Sequence, residues 1–246
     1  MLWYKSWLET RFRFLCGLLV VMATVTHTVL GAPNTLRQVE QQMPWERMLF
    51  AQYLWLTIYD GSLLAAWVIL AVILSNGGLR KEESLGASEF TLSLPVRRST
   101  FLQAQSAVTW AELVLLGLVP AILIPWLARL IGQTFSMAQT FRYAALLVCA
   151  GAVFHGWSFL LAQMTGRESI SLTISLSSIG AFFVLVKRIR ALDGLDIFDI
   201  MSGERMLEVH TFLLHGPLPW PKLGCTLALM LGLVWISIVL VNRHDF

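Results

Sequence analysis

The sequence has few charged residues and no polar stretch long enough to form a separate soluble domain. Only 13% of its 246 residues are charged, whereas 57% are apolar. Soluble domains carry about 25% charged and about 45–50% apolar residues. The net charge of +3 is too small to indicate a nucleic-acid partner, and the basic residues are dispersed rather than clustered, so we expect no such partner. This composition excludes an ordinary soluble enzyme and a disordered chain.

The sequence also has little that would bind a metal or form a disulfide. Cysteine occurs three times, at positions 16, 149 and 225, always within apolar stretches and in no metal-ligand spacing. We interpret these cysteines as small apolar packing residues. His27 and His155 have no second ligand three or four residues away, so we predict that they form hydrogen bonds between helices. We expect no metal site.

A nucleotide-binding motif is absent as well. The pattern G-x-x-x-x-G-K-[ST] does not occur, and no phosphate-binding glycine-rich loop precedes any of the four lysines at 5, 81, 187 and 222. The chain therefore has no Walker-type ATP site, and we expect it to have no catalytic residues and no directly bound cofactor.

Long apolar stretches make up about half of the chain. A helix that crosses a hydrocarbon core of about 30 Å needs about 20 apolar residues. Six stretches qualify, and they predict an all-α membrane protein with one transmembrane domain over residues 1–246. The predicted spans are 14–30, 50–74, 106–128, 143–164, 170–187 and 222–241.

The segment before the first span has an amphipathic pattern. Trp3, Tyr4 and Trp7 recur at helical spacing beside Lys5 and Arg11, which predicts a helix that lies at the membrane interface before the chain turns into the span. The basic residues of the first half favour a cytoplasmic location for both termini. The basic residues of 187–190 oppose this orientation, but the N-terminal signal usually dominates.

The connection at 75–105 is the most charged part of the chain and also contains regularly spaced apolar residues. Leu85, Phe90 and Leu94 lie at near-helical spacing before Pro95, while Glu82, Glu83 and Glu89 are acidic. This pattern predicts a short amphipathic helix over residues 82–94. Its acidic face disfavours anionic lipid and favours a protein partner.

This connection resembles the cytoplasmic loop of type 2 ABC exporter permeases. The family pattern reads E-x-x-x-G-[ST]-x-E-x-L-L-S-x-P-V-[ST]-R. The matching positions here are Glu83, Gly86, Glu89, Leu92, Ser93, Pro95, Val96 and Arg97. The resemblance implies that these residues, with Glu82, form a coupling helix that docks on a separate ATPase subunit. It also fits the six spans and the amphipathic N-terminal segment.

The resemblance further implies the partners and the location of the chain. Two copies of the ATPase, with ATP bound there, would work with two permeases, either identical or homologous. The complex would lie in the inner membrane of a bacterium, in contact with membrane lipid. The transported substrate does not follow from the spans.

Two acidic residues fall inside predicted spans. Asp60 in the second span and Glu112 in the third need a partner or a cavity, because a charge at the bilayer centre costs about 2.5–3.5 kcal/mol. Each is a candidate for the substrate pathway or for pairing between helices. An alternative function is a proton-coupled secondary transporter that uses Asp60 and Glu112, although no internal repeat supports it. A membrane prenyl-protein protease is disfavoured, because Ala87 replaces the arginine of its E-E-x-x-x-R signature.

Two further segments give expectations about packing. The fifth span is rich in small polar residues, which predicts that it packs inside the bundle. These residues are Ser169, Ser171, Thr173, Ser175, Ser177, Ser178 and Gly180. In the external segment 188–221, apolar residues at three-residue spacing predict an interfacial or re-entrant helix. Its aspartates at 193, 196 and 199 are interpreted as a solvated acidic face.

Overall fold

The computed structural model describes residues 2–42, 48–76, 98–165, 167–189, 194 and 196–243. All regular elements in these ranges are helical, apart from an isolated bridge between Leu207 and Leu214. The α-helices are α1 (Leu2–Gln42), α2 (Phe50–Leu54), α3 (Leu63–Ser75), α4 (Arg98–Leu130), α5 (Met137–Thr165), α6 (Glu168–Arg188), α7 (Ile197–Ser202) and α8 (Trp220–Arg243). A π-helical turn (Trp55–Ser62) joins α2 to α3, and a 3₁₀ turn (Glu204–Met206) follows α7.

Six of these helical stretches are long and apolar enough to cross a membrane, which confirms the predicted all-α fold class. Each predicted span lies within one of them. Large apolar side chains cover their outer faces, as in Phe12 of α1, Trp126 of α4 and Trp235 of α8, each at least 60% exposed. Such a surface is stable in lipid, where apolar side chains need no burial against protein.

The N-terminal segment is not a separate interfacial helix. Helix α1 runs without interruption from Leu2 to Gln42, a length of about 60 Å, which is twice the hydrocarbon thickness. Ser6 and Thr10 are buried where α1 packs on α4, whereas Trp3 and Tyr4 are exposed. The predicted turn into the first span is therefore wrong, because packing against α4 continues the helix.

The central helix of the bundle is α5, and it contacts α3, α4, α6, α7 and α8. Most of its apolar stretch is buried. Glycines permit this close packing. A Cβ built on Gly151 would lie 2.3 Å from the Trp67 ring of α3, and one on Gly117 of α4 would lie 2.3 Å from Val148.

Helix α6 packs at the edge of the bundle, so the prediction that the serine-rich span lies inside it is wrong. Only Ser171, Ser175, Ile179 and Val186 of α6 are buried. Several hydroxyls on this helix bond its own backbone, for example Thr173 to the Ser169 carbonyl at 2.9 Å. Small polar residues permit close approach of a neighbouring helix but do not require one, because a hydroxyl can be satisfied within its own helix.

The cysteines and histidines divide between buried and exposed positions. Cys149 is partly buried, but Cys16 and Cys225 are exposed, so the packing interpretation is wrong for these two within the chain. His155 is fully buried between helices, whereas His27 lies on the exposed side of α1. An apolar environment suits an exposed thiol as well as a buried one when the surrounding solvent is lipid.

The segment after α6 contains a short helix, α7, which covers only Ile197–Ser202 within the segment 188–221 for which an interfacial or re-entrant helix is predicted. Phe198 and Met201 of α7 are buried against the bundle. Asp196 is only 3% exposed and caps α7 by accepting hydrogen bonds from the Phe198 and Asp199 amides. The interpretation of these aspartates as a solvated face is therefore wrong for Asp196. Asp193 lies outside the described residues.

Candidate functional site

The predicted coupling residues lie outside the residues that the structure describes. These are Glu82, Glu83, Gly86, Glu89, Leu92, Pro95 and Arg97, within 77–97. The structure does describe the end of α3, from which this segment leaves. The candidate site is built from that end.

An arginine from α1 binds the end of α3 and the beginning of α6. The Arg13 guanidinium donates hydrogen bonds to the carbonyl oxygens of Asn76, at 2.7 Å, and Ile73, at 3.3 Å. It also forms an ion pair with the Glu168 carboxylate. The Asn76 side-chain amide donates to the Glu168 carbonyl oxygen at 3.0 Å. We call Arg13, Asn76 and Glu168 the Arg13 cluster.

The Arg13 cluster is electrostatically favourable at two points. The last carbonyls of a helix have no partner within it and carry a partial negative charge, so a cation there is stabilising. Glu168 lies in the first turn of α6, where a carboxylate is favoured by the opposite end of the helix dipole. Asn76 itself is 4% exposed. The cluster thus ties α1, α3 and α6 together next to the segment 77–97, for which the sequence predicts a coupling role.

A second polar contact links α1 to α4. The Thr10 hydroxyl donates to Glu112 Oε1 at 2.6 Å, and the Glu112 side chain is buried. The other carboxyl oxygen of Glu112 and the Ser6 hydroxyl have no hydrogen-bond partner among the described residues. Thr10 and Arg13 are three residues apart, so one face of α1 reaches both α4 and the end of α3.

A third contact lies in the interior, where His155 of α5 meets two serines. Its Nδ1 is 2.6 Å from the Ser75 hydroxyl of α3, and its Nε2 is 3.3 Å from the Ser106 hydroxyl of α4. The predicted hydrogen bonding between helices is confirmed for His155. Because Ser75 precedes Asn76, this contact supports the same end of α3 from the opposite side.

Asp60 lies in a different environment from Glu112. It is exposed and precedes Gly61, where the backbone departs from helical geometry with φ −110° and ψ −111°. A Cβ on Gly61 would lie 2.9 Å from the Leu56 carbonyl oxygen, so this kink requires glycine. The preceding Tyr59 ring stacks on Tyr143 of α5, with 3.9 Å between centroids.

The segment around α7 contains a cluster of opposite charges near Asp60. Lys187 Nζ is 2.6 Å from Asp199 Oδ1, and Arg205 is 3.5 Å from the same carboxylate. Partial burial opposes ionisation of Asp199, but its hydrogen bonds with Lys187 and Asp196, together with the positive charges of Lys187 and Arg205, outweigh the effect of burial and lower its pKa. Burial, the charge of Asp199 and the charge of Asp60 contribute to a raised pKa of Glu204.

The sequence interpretation missed the Arg13 cluster. From the sequence, Arg13 counts only as one of the basic residues that favour a cytoplasmic N-terminus, and nothing in the sequence singles out Glu168. The one available signal was the position of each charge at the end of an apolar stretch. That Arg13 pairs with a residue 155 positions away follows only from the packing of α1 beside α3 and α6.

These observations define a multi-pass helical membrane protein with polar contacts concentrated at the end of α3. Residues 36–241 match a family described as ABC-2 family transporter protein. The chain belongs to this family, and it is the permease component of an ABC transporter. Comparisons with curated proteins and with solved structures gave no match.

Proposed function

We propose that this chain is the permease subunit of an ATP-driven exporter and that residues 82–97 couple it to a separate ATPase subunit. Family membership supports a permease that works with an ATPase, since the family's members are not ATPases themselves. The acidic and apolar pattern of Glu83, Glu89 and Leu92 before Pro95 supports docking on another protein. ATP binds to the partner subunit in this proposal.

The observation that carries the proposal is the position of the Arg13 cluster. Asn76, the last described residue before the coupling connection, is held by Arg13 of α1 and by the Glu168 carbonyl of α6. A displacement of the connection therefore pulls on three helices at once. Rigid helices joined by charge-assisted bonds transmit such a displacement better than a flexible joint does.

We expect reversal of two acidic charges in the coupling segment to weaken docking. A partly buried charge-assisted contact contributes about 1.5–3 kcal/mol, so the double variant Glu83→Lys/Glu89→Lys should bind the ATPase roughly ten-fold to a hundred-fold more weakly. The measurement is the amount of ATP-hydrolysing subunit that co-purifies with the tagged chain from its native cells. Membrane insertion should be unchanged.

The matched control for this experiment is Glu40→Lys. Glu40 is exposed and lies near the far end of α1 from the Arg13 cluster. The same charge change there should leave co-purification at the wild-type level. Equal amounts of ATPase with the wild-type chain and with Glu83→Lys/Glu89→Lys would contradict the coupling assignment.

We also propose an inner-membrane location in a bacterium, with both termini in the cytoplasm and two permease copies in each complex. The basic residues of the first half support this orientation. An impermeant thiol reagent on intact cells should not label cysteines introduced at 88 or 246 and should label those at 40 or 205. The three native cysteines are replaced first. Labelling at 88 with protection at 205 would reverse the orientation.

The proton-coupled alternative is not supported by how its two residues are placed. Glu112 is buried and accepts a hydrogen bond from Thr10, whereas Asp60 is exposed near the charged cluster around Asp199. Asp60 stays a candidate for the substrate pathway, because it adjoins the only departure from helical backbone found within the described part of the spans.

A further inference from the structure

A lateral groove runs between α6 and α8, with α5 as its floor. It consists of two adjoining cavities of about 420 and 390 Å³, which share Val153, Phe182, Ile197 and Leu229. Helix α6 packs on α5 and α3, whereas α8 packs on α5 and α4, so the two helices face each other across α5. We call this feature the lateral groove.

The groove has the depth of one membrane leaflet. Its wall on α8 extends from Lys222 through Thr226 and Leu229 to Leu233, and these residues lie on one face of the helix. Eleven helical residues correspond to about 16 Å, and half of a hydrocarbon core is about 15 Å. A chain that enters beside Lys222 would end near Leu233, at about the middle of the bilayer.

The lining below Lys222 selects hydrocarbon, because its hydroxyl groups, those of Thr226 and Ser178, are already paired with protein. The Thr226 hydroxyl bonds the Cys149 carbonyl oxygen at 2.9 Å and the Leu223 carbonyl oxygen at 2.8 Å. The Ser178 hydroxyl accepts from the Trp157 indole at 2.9 Å and donates to the Ser175 carbonyl. A sugar or peptide would lose its hydrogen bonds to water here without replacing them.

The mouth of the groove has a positive charge. Lys222 is exposed, and in the part of the chain that the structure describes it forms no ion pair. The nearby carboxylates are occupied by other cations: Asp196 and Asp199 bind Lys187, and Asp199 also contacts Arg205. A lysine at a membrane surface attracts anionic lipid headgroups.

We propose that the lateral groove binds one acyl chain of an anionic phospholipid, whose headgroup contacts Lys222. The depth of the groove matches the length of an acyl chain in one leaflet, and the apolar lining matches its hydrocarbon. The cation at one end matches the anionic headgroup. A helix from a second copy of the chain could also fill an apolar groove, but its binding would not require a cation at the mouth. The proposal is independent of the coupling assignment, because it concerns lipid binding and not transport.

The test uses the full chain in phosphatidylcholine nanodiscs that contain a trace of photoactivatable lipid. The probe is phosphatidylglycerol with a diazirine in the middle of one acyl chain, and the comparison probe is phosphatidylcholine with the same chain. We expect crosslinks to concentrate on peptides that contain Val153 and Leu229. Phosphatidylglycerol should crosslink about five-fold more than phosphatidylcholine.

Two tryptophan variants on α8 separate groove binding from general lipid contact. Leu229→Trp places a large ring in the groove and should lower the Val153 crosslinks at least ten-fold. The control is Leu231→Trp, since Leu231 is also exposed on α8 but does not line the groove. It should leave crosslinking unchanged.

A third variant tests the headgroup. Lys222→Gln should abolish the preference for phosphatidylglycerol while the crosslinks from phosphatidylcholine at Val153 persist. The proposal is overturned if crosslinks spread evenly over the exposed helix faces or if Leu229→Trp has no effect. It is also overturned if Leu229→Trp dissociates a dimer of the chain and the groove takes no crosslinks in the wild-type protein.

Discussion

Arg13→Ala is expected to lower the free energy of unfolding by about 2–4 kcal/mol and to reduce ATPase co-purification roughly ten-fold. The substitution removes the ion pair with Glu168 and two hydrogen bonds to the carbonyls at the end of α3. A hydrogen bond to a charged group contributes about 1.5–3 kcal/mol. The Glu168 carboxylate, which is two-thirds buried, would also lose its cation.

The effect on docking has a separate cause. In the wild-type chain, the Arg13 cluster holds the point from which the coupling segment leaves α3. Without it, the end of α3 must be ordered when the ATPase binds, and about 1.4 kcal/mol of additional ordering cost corresponds to a ten-fold loss of affinity. Unfolding is followed by titration with SDS in mixed micelles, and docking by the amount of co-purified ATPase.

Arg11→Ala is the matched control for Arg13→Ala. Arg11 is two residues away on the same helix, but its side chain is exposed. Its removal should change the free energy of unfolding by less than about 0.5 kcal/mol. Arg13→Lys should give an intermediate result, because lysine retains the charge but not the planar fork that reaches several acceptors.

The two readouts distinguish the roles of Arg13. If Arg13→Ala destabilises the chain but co-purification stays at the wild-type level, the cluster is structural and does not order the coupling segment. If neither quantity changes, the contacts of Arg13 contribute nothing measurable. A double-mutant cycle with Glu168→Gln should give a coupling energy of at least about 1 kcal/mol between the two side chains.

Gly151→Ala should be the most destabilising single-methyl change in the bundle centre, at about 3 kcal/mol. The added Cβ would lie 2.3 Å from one carbon of the Trp67 ring and 2.9 Å from two others. Trp67 is fully buried on α3, so the ring has no free space in which to move. Overpacking of this kind usually costs about 1–3 kcal/mol, and a rigid aromatic neighbour places the cost at the upper end.

Gly180→Ala is the control for this substitution. Gly180 is also within a helix, but a Cβ there would meet nothing within 4 Å. Alanine has a higher helix propensity than glycine, so this variant should keep or slightly raise stability. The double variant Gly151→Ala/Trp67→Phe should recover part of the loss. Equal stability of Gly151→Ala and Gly180→Ala in SDS titration would contradict the close packing of α3 on α5.

The membrane-spanning character of the chain was predictable from sequence because it depends on local composition. A stretch such as 222–241 is apolar whatever its neighbours are, and lipid leaves helix as the stable conformation of an isolated span. A helix after residue 196 likewise depends on residues that are close together in the chain. Phe198 and Met201, three residues apart, both lie on the buried face of α7.

The position of each helix in the bundle was not predictable in the same way. The serine-rich span was expected inside and lies at the edge, whereas the interior position belongs to α5. Burial in a membrane protein cannot be read from hydropathy, because lipid-facing and protein-facing residues are equally apolar. Gly151 and Gly117 indicate close approach only once Trp67 and Val148 are known to face them.

The sequence by itself determined the class of this protein, its six spans and the segment that resembles an ATPase-docking loop. Each of these depends on residues that are neighbours in the chain. Only the tertiary structure decided that α1 continues as one helix along α4, that Arg13 reaches Asn76 and Glu168, and that α6 and α8 enclose a groove. The physical reason is that these features join residues that are distant in the chain, such as Arg13 and Glu168, which are 155 positions apart, and their contacts exist only after the helices pack.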